Sequence, residues 1–434
     1  MREHRICYGR NKTPRLLVFG YPSKPPQVGG LLWSKRVSDS ISKLGVLDVR
    51  NISSERSTDA KLNTRQIVRN VLPCLIRDFY DAVRGLLTLP QIAILDSWGE
   101  ASLILWSLLR VFRPQTKIVI VFHHYEPRIL PDRISEIRSH FTRDIAKRYN
   151  LIVEKLTGVM IRDSDMVLTV SRTSARQLCS SYGITVNDTK RDEEYSTTTT
   201  PLRSGRIRIV GTGVDRLTID TSAQKDIDFF CIGRIEKFDG IDKIWSALKK
   251  LRPEINFVMI GRASLREISH LRSIGVDHKG EVTDEEKLEL YSRAKVFLFP
   301  SSREGFGIAL AESLQLGMAA VIWRLPVFDE LYSDSRMAKQ GSVRLVEKGN
   351  YELFASEALK ALELYDMRNR MISAQPSSLS SSSSSSSPVS LEGKSVTTIS
   401  VLKLTQEKQE YRNEVLQSWE DVADKVVKAL SELI

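Results

Sequence analysis

Short, unbroken apolar runs recur along this chain, and they decide what it can fold into. A strand with one wet face alternates apolar and polar residues, whereas a strand buried on both faces reads as a continuous apolar run. Arg15–Gly20 (RLLVFG), Gln91–Leu95 (QIAIL), Lys117–Phe122 (KIVIVF), Met166–Val170 (MVLTV) and Arg206–Val210 (RIRIV) read in the second way, with Val46–Val49 as a shorter run. Helical patterns lie between most of them, at Leu31–Leu44, Ala101–Phe112 and Ile134–Leu156. Strands of this kind separated by helices make a parallel sheet covered on both faces. The pattern restarts near Asp215, with strands expected at Phe229–Ile232, Asn256–Ile260, Val296–Phe299, Met318–Ile322 and Val343–Val346, and helices at Asp242–Leu251 and Glu285–Ser292. Thr283 with Glu286 has the spacing of a helix-start capping box. The chain is therefore expected to be α/β, with two tandem, doubly wound parallel-sheet domains, 1–215 and 216–415.

Three segments stand outside that rhythm. Asn187–Gly205 is polar and is expected to be an exposed loop. Gln375–Ser400 holds the serine run Ser380–Ser387 and cannot bury enough apolar surface to offset its ordering entropy, so it is expected to be a disordered insertion in the second domain. Leu416–Ile434 is an amphipathic helix that should pack back on the body, as a separate element 416–434. With 434 residues, 41% hydrophobic and 27% charged, the chain has ample core and is neither fibrous nor wholly disordered. Its four cysteines are scattered with no CxxC pair, which argues against a disulfide framework or a thiolate metal site.

The charge is lopsided. Through Asp215 there are 34 basic and 21 acidic residues, and beyond it 30 and 32. The excess favours an anionic partner for the first domain: anionic lipid, a phosphorylated acceptor or nucleic acid. Nucleic acid is not expected, because no basic stripe with interleaved aromatics appears. In Ile134–Leu156, Arg138, Arg143, Lys147 and Arg148 alternate with apolar residues in a way that suits an anionic membrane surface, with a solvated face as the other reading. The polar start and the absence of a long apolar run predict a cytoplasmic protein, soluble or peripheral on the membrane.

The richest stretch for chemistry is Phe299–Leu316 (FPSSREGFGIALAESLQL). A strand ends at Pro300, a loop carries Glu304-Gly305-Phe306-Gly307, and a helix starts there with Glu312 in its second turn. Glycines allow close backbone approach, and the helix start offers unpaired N–H groups to an anion. Glu304 and Glu312 suit hydrogen bonds to sugar hydroxyls, or equally a charge-stabilised helix terminus without ligand. Gly233-Arg234-Ile235-Glu236-Lys237 follows the first strand of the second half, and His123-His124 follows KIVIVF, both at carboxyl ends where open α/β sheets bind ligands. Asp163-Ser164-Asp165 has a metal-binding pattern but falls at a strand's amino end, and reads as a turn.

Taken together, these residues resemble the family 4 glycosyltransferases, which have the GT-B fold: two Rossmann-like domains with a donor cleft between them. Glu304 to Glu312 matches the family's E-x7-E signature within REGFGIALAESLQLGMAAV. GRIEKFDGID (Gly233–Asp242), IRIVGTGVD (Ile207–Asp215), SDMVLTVS (Ser164–Ser171), Gly29-Gly30 and SWEDVADKV (Ser418–Val426) are similar to its other segments. The resemblance implies a retaining, metal-independent transfer of a hexosyl group from a nucleoside-diphosphate sugar to a glycan, lipid-linked or glycolipid acceptor, with no further cofactor. It implies that His123 and Glu304 contact the transferred sugar as catalytic residues. It implies that Arg234 and Lys237 hold the diphosphate, that Gly29 and Gly30 line the donor site, that the amides of Gly305, Phe306 and Gly307 face the leaving phosphate, and that Glu312 binds the ribose. The family's diphosphate lysine falls at Asp239 here, two residues after Lys237. That departure keeps open a sugar-nucleotide-binding scaffold with little or no turnover, and a nucleotide-sugar epimerase of the same fold is the other alternative.

Overall fold

The computed structural model describes residues 13–22, 29–53, 64–97, 100–125, 140–185, 200–201, 206–219, 223–373 and 416–434. The chain divides into two compact units, Met1–Gly213 with Gln417–Ile434, and Val214–Leu416.

In the first unit β1 (Arg15–Phe19), β2 (Asp48–Ile52), β3 (Ile92–Asp96), β4 (Lys117–Phe122), β5 (Met166–Thr169) and β8 (Ile207–Ile209) form one parallel sheet in the order β2-β1-β3-β4-β5-β8. Leu17, Ala93, Ile120 and Val167 are fully buried, as unbroken apolar runs require. The helices are α1 (Gly29–Leu44), α2 (Thr64–Leu87), α3 (Glu100–Phe112), α4 (His140–Asp163) and α5 (Arg172–Tyr182). Right-handed crossovers put α2, α3 and α4 on one face, where α3 neighbours both others. The closing helix α13 (Trp419–Ser431) packs on α1, its Trp419, Val422 and Val426 are buried, and Ser418 and Asp421 form its capping box.

The second unit holds β9 (Ile227–Ile232), β10 (Phe257–Ile260), β11 (Asp277–His278), β12 (Ala294–Phe299), β13 (Ala319–Trp323) and β14 (Val343–Val346), all parallel, in the order β11-β10-β9-β12-β13-β14. Counted within the unit this is 3-2-1-4-5-6, the dinucleotide-binding order, with its switch point between β9 and β12. Its helices are α6 (Ile241–Leu251), α7 (Leu265–Ser273), α8 (Asp284–Arg293), α9 (Ile308–Gln315), α10 (Pro326–Tyr332), α11 (Arg336–Lys339) and α12 (Tyr351–Ser373). Phe229, Phe257, Phe297, Trp245 and Trp323 fill the core. The capping box at Thr283 and Glu286 is present, and a second one joins Ser264 and Glu267.

The differences from the sequence reading have local causes. Strand β2 starts at Asp48 rather than Val46, because Gly45 turns the chain with φ +67° and Asp48 pairs with Arg15. Helix α4 continues to Asp163, where Ser164 donates its amide to the Ile161 carbonyl and ends it. The part of the expected helix before residue 140 lies outside the described residues. Of Asn187–Gly205, expected to be loop, Thr200–Pro201 is a two-residue strand, β7, beside β6 (Ile184–Thr185), because both supply extended backbone. The rest of that segment, and Gln375–Ser400, lie outside the described residues. The long helices α2 and α12 were not expected.

Candidate functional site

The switch point of the second sheet lies where β9 and β12 run side by side and their following loops part. Those two loops hold the Arg234 and Glu304 segments. They are joined to each other directly. Asp239 donates its amide to the Pro300 carbonyl at 2.9 Å, Phe238 and Ser301 make an antiparallel bridge, and the rings of Phe238 and Phe299 lie edge to face with centroids 6.1 Å apart.

After β9 the chain turns at Gly233 and enters a one-turn 3-10 helix, Ile235–Lys237. Arg234 precedes it with extended backbone, and its guanidinium pairs with Glu236 at 3.2 Å. The side chain of Lys237 lies outside the described residues. A third glycine, which the sequence reading missed, shapes this loop. Gly261 ends β10 with φ +119°, and a Cβ there would lie 2.2 Å from the Gly233 carbonyl oxygen. Its amide donates to the Gly280 carbonyl at 2.7 Å. The glycines after β9, β10 and β11 thus interlock at three adjacent carboxyl ends. Gly261 carried no motif, so only the strand order reveals it.

His278 braces the same corner. It is fully buried, its Nδ1 accepts the Gly280 amide at 3.0 Å, and burial together with Arg272 holds its pKa below the usual range. A histidine kept neutral when folded takes up fewer protons than the unfolded chain as the pH drops below about 6.5. Stability is therefore full above that value and is lost as the pH falls from it toward the depressed folded pKa. His278→Asn, which keeps an acceptor near Nδ1, is expected to melt with a smaller difference between pH 7 and pH 5 than the unsubstituted chain. An unchanged difference would remove His278 from the acid response.

After β12 the chain runs to Gly307, which caps α9 with φ +91°, and a Cβ there would press to 2.9 Å on the Phe328 ring. Phe306 turns its side chain inward against Val214 and Ala311, leaving the backbone of Gly305–Gly307 at the helix start. Glu304 is half-buried and accepts a hydrogen bond from Ser301 Oγ at 2.8 Å. Glu312 is 5% exposed, deeper than a helix-terminus role requires. Tyr291 donates its hydroxyl to Oε2 at 3.1 Å, and Lys287 donates Nζ to Oε1 at 3.4 Å. Burial pushes the Glu312 carboxyl above its usual range, against the opposing pull of Lys287 and Tyr291. Each carboxylate oxygen offers about two lone pairs, so both retain capacity for a diol.

Asp239 turns its carboxylate to its own framework. Tyr351 donates its hydroxyl to Oδ1 at 3.4 Å, Lys348 stands 4.0 Å from Oδ2, and the Asp239 carbonyl accepts Trp323 Nε1 at 3.3 Å.

In the first unit His123 follows β4, and its carbonyl accepts the Ser174 hydroxyl. Gly29 and Gly30 open α1, and the His123 ring rests on Gly30, where a Cβ would lie 3.1 Å from Cδ2. Trp33 meets that ring edge to face at 5.7 Å between centroids and donates Nε1 to the Gly211 carbonyl at 3.1 Å. The pair Asp163 and Asp165 is a turn, as expected from its place before β5. Arg110 pairs with both, and Lys117 with Asp165.

Residues 218–377 match the family described as glycosyl transferases group 1. Over 251 residues the chain is 24% identical to the O-antigen chain mannosyltransferase RfbU of Salmonella typhimurium, covering 54% of this chain and 64% of that protein, so it spans less than two thirds of that relative's length. A glycosyltransferase structure from Rickettsia africae superposes with a TM-score of 0.56 at 14% identity, over 97% of this chain and 99% of the other. The Escherichia coli structure described as trehalose-6-phosphate bound with UDP-2-fluoro glucose gives 0.57 at 12% identity, over 97% and 99%. At these identities the superpositions establish the fold, the two Rossmann-like domains of GT-B enzymes. Residues 218–377 are therefore similar to the glycosyl transferases group 1 family, in a chain of GT-B fold.

Proposed function

We propose that the protein transfers a sugar from a nucleoside-diphosphate sugar to a glycan, lipid-linked or glycolipid acceptor, with retention at the anomeric carbon and without a metal ion. The observation that carries this reading is the joining of the Arg234 loop to the Glu304 loop at the switch point of the second sheet. An arginine and a helix start, side by side, make a diphosphate site. In this proposal Arg234, with Lys237, binds the diphosphate, and the amides of Gly305–Gly307 take the charge that develops on the leaving phosphate. Glu304 hydrogen-bonds the sugar hydroxyls, Glu312 the ribose diol, and His123, seated on Gly30, contacts the sugar. In a front-face displacement the acceptor oxygen attacks as the anomeric C–O bond breaks, and the departing phosphate takes the acceptor's proton. No pair of catalytic carboxylates is then required.

The Asp239 departure counts less against this reading than the sequence alone suggests, because Tyr351 and Lys348 engage its carboxylate. The scaffold reading differs by its lack of turnover, and the epimerase reading by releasing a free sugar without acceptor.

A thermal-shift series with UDP, GDP and ADP and their sugars, with and without EDTA, tests the proposal. Ligand at a hundred times its Kd adds about 2.7 kcal/mol to the stability of the folded state. One nucleoside diphosphate is expected to raise the melting temperature by several degrees, equally with EDTA. Arg234→Ala is expected to weaken that nucleotide about tenfold or more, the worth of a charge-assisted pair. No shift with any nucleotide would overturn the reading.

A further inference from the structure

A carboxylate taken out of water must be compensated, or it takes up a proton. Glu312, on α9, is 5% exposed. Its compensation comes from a second helix. The capping box of Thr283 and Glu286 starts α8, and Lys287 and Tyr291 follow on one face of it, one turn apart. The Tyr291 side chain is fully buried and meets the Phe230 ring edge to face, with centroids 5.4 Å apart. Its hydroxyl lies 3.1 Å from Glu312 Oε2 and 3.2 Å from the Ala309 carbonyl, so a single proton is shared between two acceptors. Burial, Glu312 and Cys231 hold the phenol well above its usual range, so it stays a donor. Lys287 donates Nζ to Oε1 at 3.4 Å and brings a full positive charge, with the exposed Asp284 a little farther from it at 3.6 Å.

The charges around Glu312 pull in both directions. Burial raises its carboxyl pKa, Lys287 and Tyr291 lower it, and the charge of Asp215 raises it again, and the balance stays above the usual range. The lysine thus works against a net pull toward the neutral acid, and without it the carboxyl would rise further. We propose that Lys287, assisted by Tyr291, is a positioning residue for nucleotide recognition: it keeps Glu312 an anion and fixes its carboxylate with one lone pair on each oxygen left for a ribose diol. Each oxygen has about two lone pairs, and the two contacts from α8 take one apiece. The site is thereby set for a ribonucleotide rather than a 2′-deoxyribonucleotide, since a hydroxyl bound to an ionised partner is worth about tenfold or more in affinity. The inference rests on the ribose role proposed for Glu312. All of its residues belong to the second unit.

Calorimetric titration of the full chain with UDP, GDP and ADP and with their 2′-deoxy forms, from about pH 5.5 to about pH 8.5, is the test. The diphosphate titrates alike in both forms, so the ratio of the two affinities at each pH reports the ribose contact alone. In the unsubstituted chain the ribonucleotide is expected to bind about tenfold tighter or more. In Lys287→Met that ratio should fall toward one at neutral pH and recover as the pH rises, because the carboxyl then ionises only at higher pH. Lys287→Arg, which keeps the charge, should restore it. In a Glu312→Gln background Lys287→Met should change nothing further, whereas a lysine that touched the phosphates itself would weaken both forms there. Should Lys287→Met melt early, Lys287→Gln carries the same comparison. A bound nucleotide with no preference for the ribose form, a ratio and pH profile that Lys287→Met leaves unchanged, or equal weakening of both forms would overturn the inference and leave the diphosphate site standing. If the unsubstituted chain binds none of the nucleotides, the transfer reading falls and the inference with it.

Discussion

Glu304→Ala is expected to lower sugar transfer by about 100-fold or more while leaving the fold intact, the scale on which single preorganised polar groups act in such sites. The geometry separates the two effects. Glu304 is half-buried at a loop, outside the packed cores, and its one described bond is the acceptance from Ser301 Oγ at 2.8 Å. Losing a hydrogen bond of that kind costs about 1 kcal/mol of stability. A carboxylate that grips sugar hydroxyls as the anomeric carbon gains positive charge does more in the transition state than in the ground state. Its loss should therefore appear in kcat and not in KM alone. The assay is transfer from whichever sugar nucleotide raises the melting temperature. The nucleotide-induced shift should survive the substitution, because the residues proposed for the diphosphate and ribose, Arg234 and Glu312, are others. Normal turnover in Glu304→Ala would remove this residue from the chemistry.

Most strands of both sheets were legible because buried strands leave unbroken apolar runs, and Lys117–Phe122 and Val343–Val346 have the limits their composition predicts, whereas the two-residue strand β11, Asp277–His278, is polar and was missed. Asp163 and Asp165 were likewise readable as a turn, since their place before a strand keeps them from the ligand end. The helix α12 was harder to see, because its apolar periodicity is weak and tertiary packing rather than a strong local pattern holds it. The glutamate pair could be picked out by spacing, but nothing in the sequence told that Glu312 lies buried under Tyr291 and Lys287 from a different helix. Contacts of that sort, like the turning of Asp239 to Tyr351, join residues far apart in the chain and have no local signature.

Gly261→Ala should be the most damaging single methyl in the second unit. At φ +119° any side chain is strained, and here the added carbon would also lie 2.2 Å from the Gly233 carbonyl oxygen and 2.8 Å from its carbon. Those are backbone atoms at the end of β9, tied by the Gly233 amide to the Ile260 carbonyl at 3.1 Å and by the Ile235 amide to the Arg262 carbonyl at 3.0 Å. They have no rotamer by which to move aside. The loop that carries Arg234 must shift instead. A cost of about 3 kcal/mol is expected, the sum of a strained conformation and a broken close contact. For a unit of this size that is a fall of about 10 °C in melting temperature. The comparison variant is Gly275→Ala. Gly275 also has a positive φ, +88°, but its nearest neighbour across the gap is Trp245 Nε1 at 3.7 Å, an ordinary contact. It should cost about 1 kcal/mol from backbone strain alone and leave nucleotide binding untouched. The two together separate strain from displacement: Gly261→Ala should lose stability and the nucleotide-induced shift at once, because the displaced segment carries Arg234, the arginine proposed to bind the diphosphate. Equal losses in the two variants, or a nucleotide shift that Gly261→Ala retains in full, would mean that the Arg234 loop does not depend on this close approach.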